Sequence, residues 1–261
     1  MLILSATSGS TGDKKRVITN SEGEIYRAKA EAKALGIGPG SRLANDRKGV
    51  AGWHQTLIAA VSGATLVEWA GPEKRSLRTW LNEEKITHLH TLATTFRWLC
   101  GGIYTYPAIE HVDIGGEMVD WGDFDLFKQC FGEHCTFSNR YATAETWTIS
   151  RKYLNWNSAV GQGRMPVGRA CDGVEIKIVD GEIVVKSPSV AVGYYNDPEL
   201  TAAKFRDGWY HTGDLGYWLP NGELMHCGRK DFAGEVRDKF DTERYMHERN
   251  MASAMMGGEV K

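Results

Sequence analysis

The chain has 261 residues, 42% hydrophobic and 25% charged, an ordinary balance for a globular protein with room for one large domain or two small ones. A formal net charge of −2 offers no basic surplus, which argues against nucleic-acid or membrane-surface partners. No apolar run is long enough to span a bilayer, and Met1-Leu2-Ile3-Leu4 is too short and lacks the positive flank of a signal peptide.

In chain order, Met1 to Leu4 predicts a buried strand that runs into the loop "ATSGSTGDKK" (6–15). Glu24 to Leu35 places Ile25, Ala28, Ala32 and Leu35 at helical spacing, and Gly-Pro-Gly at 38–40 stops it. A mostly buried helix follows over 53–62, a strand over 64–69, a helix over 76–85 and a strand over 86–92. A short helix runs through Trp98, then a strand over 109–117 and a helix over 123–131. This alternation predicts an α/β fold, a parallel sheet with flanking helices, with ligands beyond the carboxyl ends of the strands, where loops 114–117 and 139–146 would lie.

After Gly168 the pattern changes. "GVEIKIVDGEIVVKS" (173–187) alternates with period two around Asp180-Gly181, and "GYWLPNGELMHCG" (216–228) turns at Pro220-Asn221-Gly222, so both predict hairpins of a smaller antiparallel β subdomain. The expected organisation is an α/β nucleotide-binding part over 1–168, the β subdomain over 169–228, and a hinge and tail over 229–261. In the tail, Val236 and Phe240 could share a helix face, and "MGGEVK" reads as frayed. Cys100, Cys130, Cys135, Cys171 and Cys227 are odd in number and form no CxxC pair, which predicts reduced, packed thiols and a cytoplasmic protein. His88 and His90 share one strand face; a metal pair is one reading, and packed or pocket-edge histidines are the reading preferred here.

The 6–15 loop costs backbone entropy to order, which a ligand would offset. A Walker loop is excluded, because Gly9 and Gly12 enclose only two residues and Asp13 follows. A Gly/Ser linker is the plain alternative, but linkers join domains and this loop follows four residues of strand. A phosphate cradle remains, built from backbone N–H groups, the hydroxyls of Thr7, Ser8, Ser10 and Thr11, and the Lys15 ammonium.

"TSGSTGDKKRV" resembles the signature loop of the adenylate-forming ligases, the acyl- and aryl-CoA synthetases, luciferases and nonribosomal peptide synthetase adenylation domains. Lys14 stands where that loop usually has Pro, and Arg16 replaces its last Gly. Further resemblances follow in the family's order: "DIGGEMV" (113–119), "NRYATAE" (139–145), "GEIVVKSPSVAVGYYNDPELTAAKF" (181–205) and "WYHTGDLGYWLPNGELMHCGRKD" (209–231). The resemblance implies an ATP- and Mg²⁺-dependent enzyme that activates a carboxylic acid as its acyl adenylate and passes it to a CoA or carrier-protein pantetheine thiol. It implies that Thr7, Ser8, Gly9, Ser10, Thr11, Gly12 and Lys15 hold the β- and γ-phosphates, and that Gly116 and Glu117 lie against the adenine. By the same resemblance Tyr141 stacks on the adenine, Glu145 takes Mg²⁺, Asp214 binds the ribose hydroxyls with help from Arg229, and Asp231 marks a hinge. Lys15 and Glu145 are the expected catalytic residues. The plain alternatives are a core tyrosine at Tyr141 and a turn-capping carboxylate at Asp214.

Departures from the family pattern set further expectations. The family's segment ahead of the loop and its C-terminal domain with an essential lysine have no matching stretch here, so the chain reads as truncated at both ends and impaired alone. Loss of the leading segment predicts an unpaired sheet edge and an exposed apolar face. A non-catalytic nucleotide-binding module and a decayed gene fragment are the alternatives. Ala142 replaces a Gly, Ala144 replaces a Thr hydroxyl expected to meet the α-phosphate, and Ala93 stands where a Pro is common. Val50 occupies the position of an amine-pairing Asp, which leans toward an acyl or hydroxy acid.

Overall fold

The computed structural model describes residues 1–6, 15–46, 49–71 and 76–230. The loop residues Thr7 to Gly12, the hinge residue Asp231 and the tail therefore lie outside the described residues.

Among the described residues the strands form three sheets. The first pairs β1 (Leu2–Ala6) with β2 (Arg16–Asn20), and β2 with β12 (Gly193–Tyr194), all antiparallel. One face is buried through Val17 and Tyr194, while Leu2 and Leu4 point outward, 67% and 51% exposed. Strand β1 thus forms as expected, but it is not buried: it is an edge strand, and nothing among the described residues covers its outer face.

The second sheet has the order β4-β3-β5-β6-β7-β8-β9. Its strands are β3 (Arg42–Asn45), β4 (Thr65–Glu68), β5 (His88–Thr91), β6 (His111–Gly115), β7 (Thr136–Thr143), β8 (Trp147–Leu154) and β9 (Arg169–Ala170). Pairing is parallel from β4 to β7 and antiparallel from β7 to β9. The expected wholly parallel sheet is therefore mixed. The 139–146 stretch expected as a loop is mostly the end of β7, and the β7–β8 connection spans only 144–146. Tyr141 and Thr143 in this stretch suit a strand; the turn carries no Gly or Pro to mark it.

Helices α1 (Ser21–Ala34), α2 (Val50–Ser62), α3 (Leu77–Glu83), α4 (Ala93–Cys100) and α5 (Trp121–Cys130) accompany this sheet. The side chain of Asn20 accepts from Gly23 N at 2.7 Å and starts α1 three residues before the expected Glu24, because the cap precedes the apolar spacing. Ala28, Ala32 and Leu35 are buried as expected, but Ile25 is 43% exposed. Helix α2 is only half buried, with Ile58 and Ala59 inward and Trp53 exposed. The main core gathers Trp80, Phe96, Leu99, Phe124, Phe127 and Phe137 between β5, β6, β7 and helices α3 to α5.

The third sheet holds both expected hairpins: β10 (Glu175–Val179) with β11 (Glu182–Lys186), and β14 (Trp209–Trp218) with β15 (Leu224–Arg229). Helix α6 (Pro198–Lys204) and β13 (Phe205–Arg206) lie between them in sequence, and β13 pairs with β14. None of the five cysteines is in a disulfide; Cys100, Cys130, Cys135 and Cys227 are buried and Cys171 is half-buried.

Candidate active site

A cleft of about 350 Å³ opens between the carboxyl ends of β6 and β7 and the β14–β15 hairpin. Gly116, Glu117, Tyr141, Asp214 and Arg229, distant in sequence, all line it. Gly116 has φ +81°, the left-handed region that favours glycine in the turn after β6, and a Cβ there would sit 3.1 Å from Leu92 Cδ2. The Glu117 carboxylate accepts from Thr94 N at 2.7 Å and Thr94 Oγ at 3.0 Å, which caps α4 and locks the turn.

Tyr141 reaches the cleft from a β-bulge at the end of β7, and its hydroxyl donates to Asp214 Oδ2 at 2.6 Å. Burial, then the Asp214 charge, pushes the phenol well above its ordinary pKa. On Asp214, burial alone would raise the pKa; His226, Tyr141 and Arg229 outweigh it and hold the carboxyl below its usual value. His226 Nε2 lies 3.9 Å and Arg229 Nε 3.6 Å from Asp214 Oδ1. Asp214 N donates to Thr212 Oγ1 at 3.0 Å, so Thr212 makes the local turn contact and the Asp214 carboxylate faces Tyr141 across the cleft. The result is an acceptor-only carboxylate beside a neutral phenol and a guanidinium, a set suited to a polyol next to an anion.

Glu145 lies elsewhere. Its carboxylate is buried, and Oε1 accepts from the Tyr194 hydroxyl at 2.7 Å. Tyr194 of β12 pairs in register with Val17, two residues after Lys15, so Glu145 meets the sheet at the end where Lys15 leads into β2. A lone carboxylate fits Mg²⁺ only where phosphate oxygens complete the shell, and among the described residues no group of three or more acidic, His or Cys side chains stands ready for a metal. Ala144 packs against Val17 and Tyr194. His88 is packed, with ring nitrogens 2.8 Å from Thr87 Oγ1 and 3.1 Å from the Leu35 carbonyl.

Beneath the cleft floor lies a buried ionic cluster that sequence reading missed. Asp113 Oδ1 accepts from Arg151 Nε at 3.0 Å and from Ser138; Oδ2 faces Arg140 Nε at 2.9 Å and His90. Arg151 also donates to Glu31 at 2.6 Å. Burial would raise the Asp113 pKa, but Arg151, His90 and Arg140 hold it well below the ordinary carboxylate value. The members are scattered over α1, β5, β6, β7 and β8; charged residues inside strand patterns were the available signal.

A family model described as AMP-binding enzyme matches residues 1–195. Among curated proteins, the chain is 31% identical over 157 residues to tyrocidine synthase 3 of Brevibacillus parabrevis, covering 49% of this chain and 2% of that protein. It is 40% identical over 163 residues to the D-alanine–D-alanyl carrier protein ligase of Lactococcus lactis, covering 61% and 32%. It is 26% identical over 242 residues to the 3-hydroxybenzoate–CoA ligase of Aromatoleum sp., covering 83% and 45%. Among solved structures, O-succinylbenzoate coenzyme A synthetase of Bacillus subtilis in complex with ATP and magnesium superposes with a TM-score of 0.74 at 24% identity, covering 87% of this chain and 50% of that one. The chain thus spans half or less of each of these proteins.

Proposed function

Since the chain belongs to the AMP-binding family of adenylate-forming ligases, we propose that it takes part in ATP-dependent activation of a carboxylic acid for transfer to a thiol. The convergence of Gly116, Glu117, Tyr141, Asp214 and Arg229 on one cleft carries this reading. A carboxylate oxygen of the acid attacks the α-phosphorus of ATP, the α–β bridging bond breaks, and pyrophosphate leaves. A thiol of CoA or carrier-protein pantetheine then takes the acyl group, loses its proton to solvent, and AMP departs.

Each residue has a task in this scheme. Asp214, kept ionised, accepts from the ribose hydroxyls; Arg229 stands on the same side. Tyr141 offers a ring held in place by its bond to Asp214 and by His226, whose ring centroid lies 4.9 Å away. Gly116 and Glu117 form the wall for the base. Lys15, with the glycine and hydroxyl residues Thr7 to Gly12, neutralises the departing phosphates. Bound Mg²⁺ supplies charge neutralisation at the phosphates, and Glu145 is the residue that would hold it. D-alanine and 3-hydroxybenzoate, named for two of the relatives, show how wide the acid class is.

ATP–pyrophosphate exchange with a panel of carboxylic acids tests the reading. Exchange that is lost in Lys15→Ala or Glu145→Ala supports it; no exchange with any acid overturns it. The engagement of Glu145 by Tyr194 favours one second reading, a nucleotide-binding module without turnover, which predicts a thermal shift with AMP or ATP and no exchange.

A further inference from the structure

The ladder between β11 and β14 slips at Asp214. Val184 pairs with His211, and the next pair toward the hairpin turn is Glu182 with Leu215. On β11 only Ile183 lies between these pairs, whereas β14 carries Thr212, Gly213 and Asp214. Three residues against one make a bulge, and a bulge leaves backbone donors without ladder partners. All three residues are buried, so those donors need acceptors from side chains.

Asp214 N uses the Thr212 hydroxyl, which in turn donates to the Ile183 carbonyl at 2.7 Å. Gly213 N donates to Glu182 Oε1 at 2.9 Å. Gly213 holds φ +80°, and a Cβ there would fall 2.8 Å from Lys204 Nζ and 3.5 Å from Arg229 Nη2. Glu182 is buried, and its other oxygen, Oε2, lies 3.6 Å from Lys230 Nζ and 3.7 Å from His211 Nδ1. That ring nitrogen also meets Arg206 Nη2 at 3.0 Å; a guanidinium only donates, so Nδ1 accepts there and Lys230 brings positive charge to Oε2. Asp214 and Arg229 are register partners across β14 and β15. One carboxylate therefore holds the residue before Asp214 and the residue after Arg229.

We infer that Glu182 is a positioning residue for the nucleotide: it fixes the bulge that aims the Asp214 carboxylate at the ribose hydroxyls, and Lys230 steadies it from the far side. This rests on the reading of the cleft given above. Glu182 lies outside the cleft wall and acts through the backbone of Gly213. The need for such a fixture is geometric. Tyr141 already occupies Asp214 Oδ2, so the lone pairs left over must meet two vicinal hydroxyls, and hydrogen bonds weaken steeply off axis. A glycine at the centre of a bulge leaves that aim loose. A charge-assisted bond to its N–H holds the turn more firmly than a neutral one. Only an acceptor at the reach of Oε1 is required, so an amide oxygen at the same distance serves, and an aspartate is one methylene too short.

Calorimetry with the full chain tests this, using AMP and 2′,3′-dideoxy-AMP, which lacks both hydroxyls that Asp214 meets in this scheme. The parent chain is expected to favour AMP by about tenfold or more, as for hydrogen bonds to a charged acceptor. In Glu182→Ala that preference is expected to fall to about threefold or less, while affinity for dideoxy-AMP changes by less than about twofold. Glu182→Asp keeps the charge but not the reach; it guards against misfolding, with thermal midpoints read alongside, and loses the preference too. Glu182→Gln keeps most of it, because its amide oxygen still accepts from Gly213 N. A folded Glu182→Asp or Glu182→Ala with the parent's preference overturns the proposal. So does equal loss of both nucleotides, since a residue that only stabilised the hairpin would weaken both alike. A parent chain that binds the two nucleotides alike, or neither, overturns the ribose role of Asp214 itself, and the proposal with it.

Discussion

His111 on β6 donates or accepts at both ring nitrogens, with Thr136 Oγ1 at 2.7 Å and Ser138 Oγ at 3.0 Å, inside the wall that carries Asp113. Burial pulls its pKa down to about 3 from an ordinary 6.5. The sign follows: between those values the unfolded chain binds a proton that the folded chain refuses, so stability is full above pH 6.5 and is lost as pH falls toward 3. At pH 5 this single group costs about 2 kcal/mol. His54, His88 and His90 are shifted the same way, each first by burial, and steepen the same slope. His111→Gln keeps a hydrogen-bonding amide and removes the titration. The drop in urea midpoint between pH 7 and pH 5 is expected to shrink in that variant; an unchanged drop would show that His111 is protonated in the folded state.

Caps decide where several elements begin, and one of them supports the site. Helix α5 starts in a reciprocal box: Asp120 accepts from Asp123 N at 3.2 Å, and Asp123 accepts from Asp120 N at 3.0 Å. Arg97 of α4 grips both oxygens of Asp123, at 2.7 and 2.8 Å, and donates to the Met118 carbonyl at 3.1 Å. This ties α4, α5 and the turn at Gly116 and Glu117 into one unit. Asp120→Ala is expected to cost about 1 kcal/mol and lower the thermal midpoint by about 2–4 °C, measured by calorimetry. The box is visible in the sequence as Asp-x-x-Asp, yet the apolar spacing alone starts the helix at 123, because spacing marks the buried face and the cap marks the end. The β7–β8 turn shows the opposite difficulty: its residues carry strand and polar character at once, and only the pairing of β7 with β8, out to Thr143 and Trp147, carries both strands up to it.

At the scale of the molecule, the cleft exists because the large sheet and the antiparallel hairpins are held at a fixed distance. Gly168 makes that closure: its carbonyl accepts from Leu224 N at 2.6 Å, its φ is +77°, and a Cβ would fall 2.1 Å from the Arg151 carbonyl. Gly168→Ala is expected to destabilise the chain by more than about 2 kcal/mol, read as a lower urea midpoint; near-parental stability would mean the two sheets can shift apart without cost. By itself the sequence determined the alternation of strands and helices, both hairpins after Gly168, and the motifs that hold Gly116, Glu117, Tyr141, Asp214 and Arg229 of the cleft wall, because periodicity, turn residues and short motifs are local properties. It left unread the antiparallel turn at β7–β8 and the ionic cluster around Asp113. Those depend on which strands become neighbours, and hydrogen bonds or charges that meet across a sheet leave no spacing in the chain. Only the tertiary structure put Arg140 on the wall of the cleft with Asp113 beside it, since its register against Gly115 and its approach to Asp113 are fixed by strand pairing rather than by its own residue type.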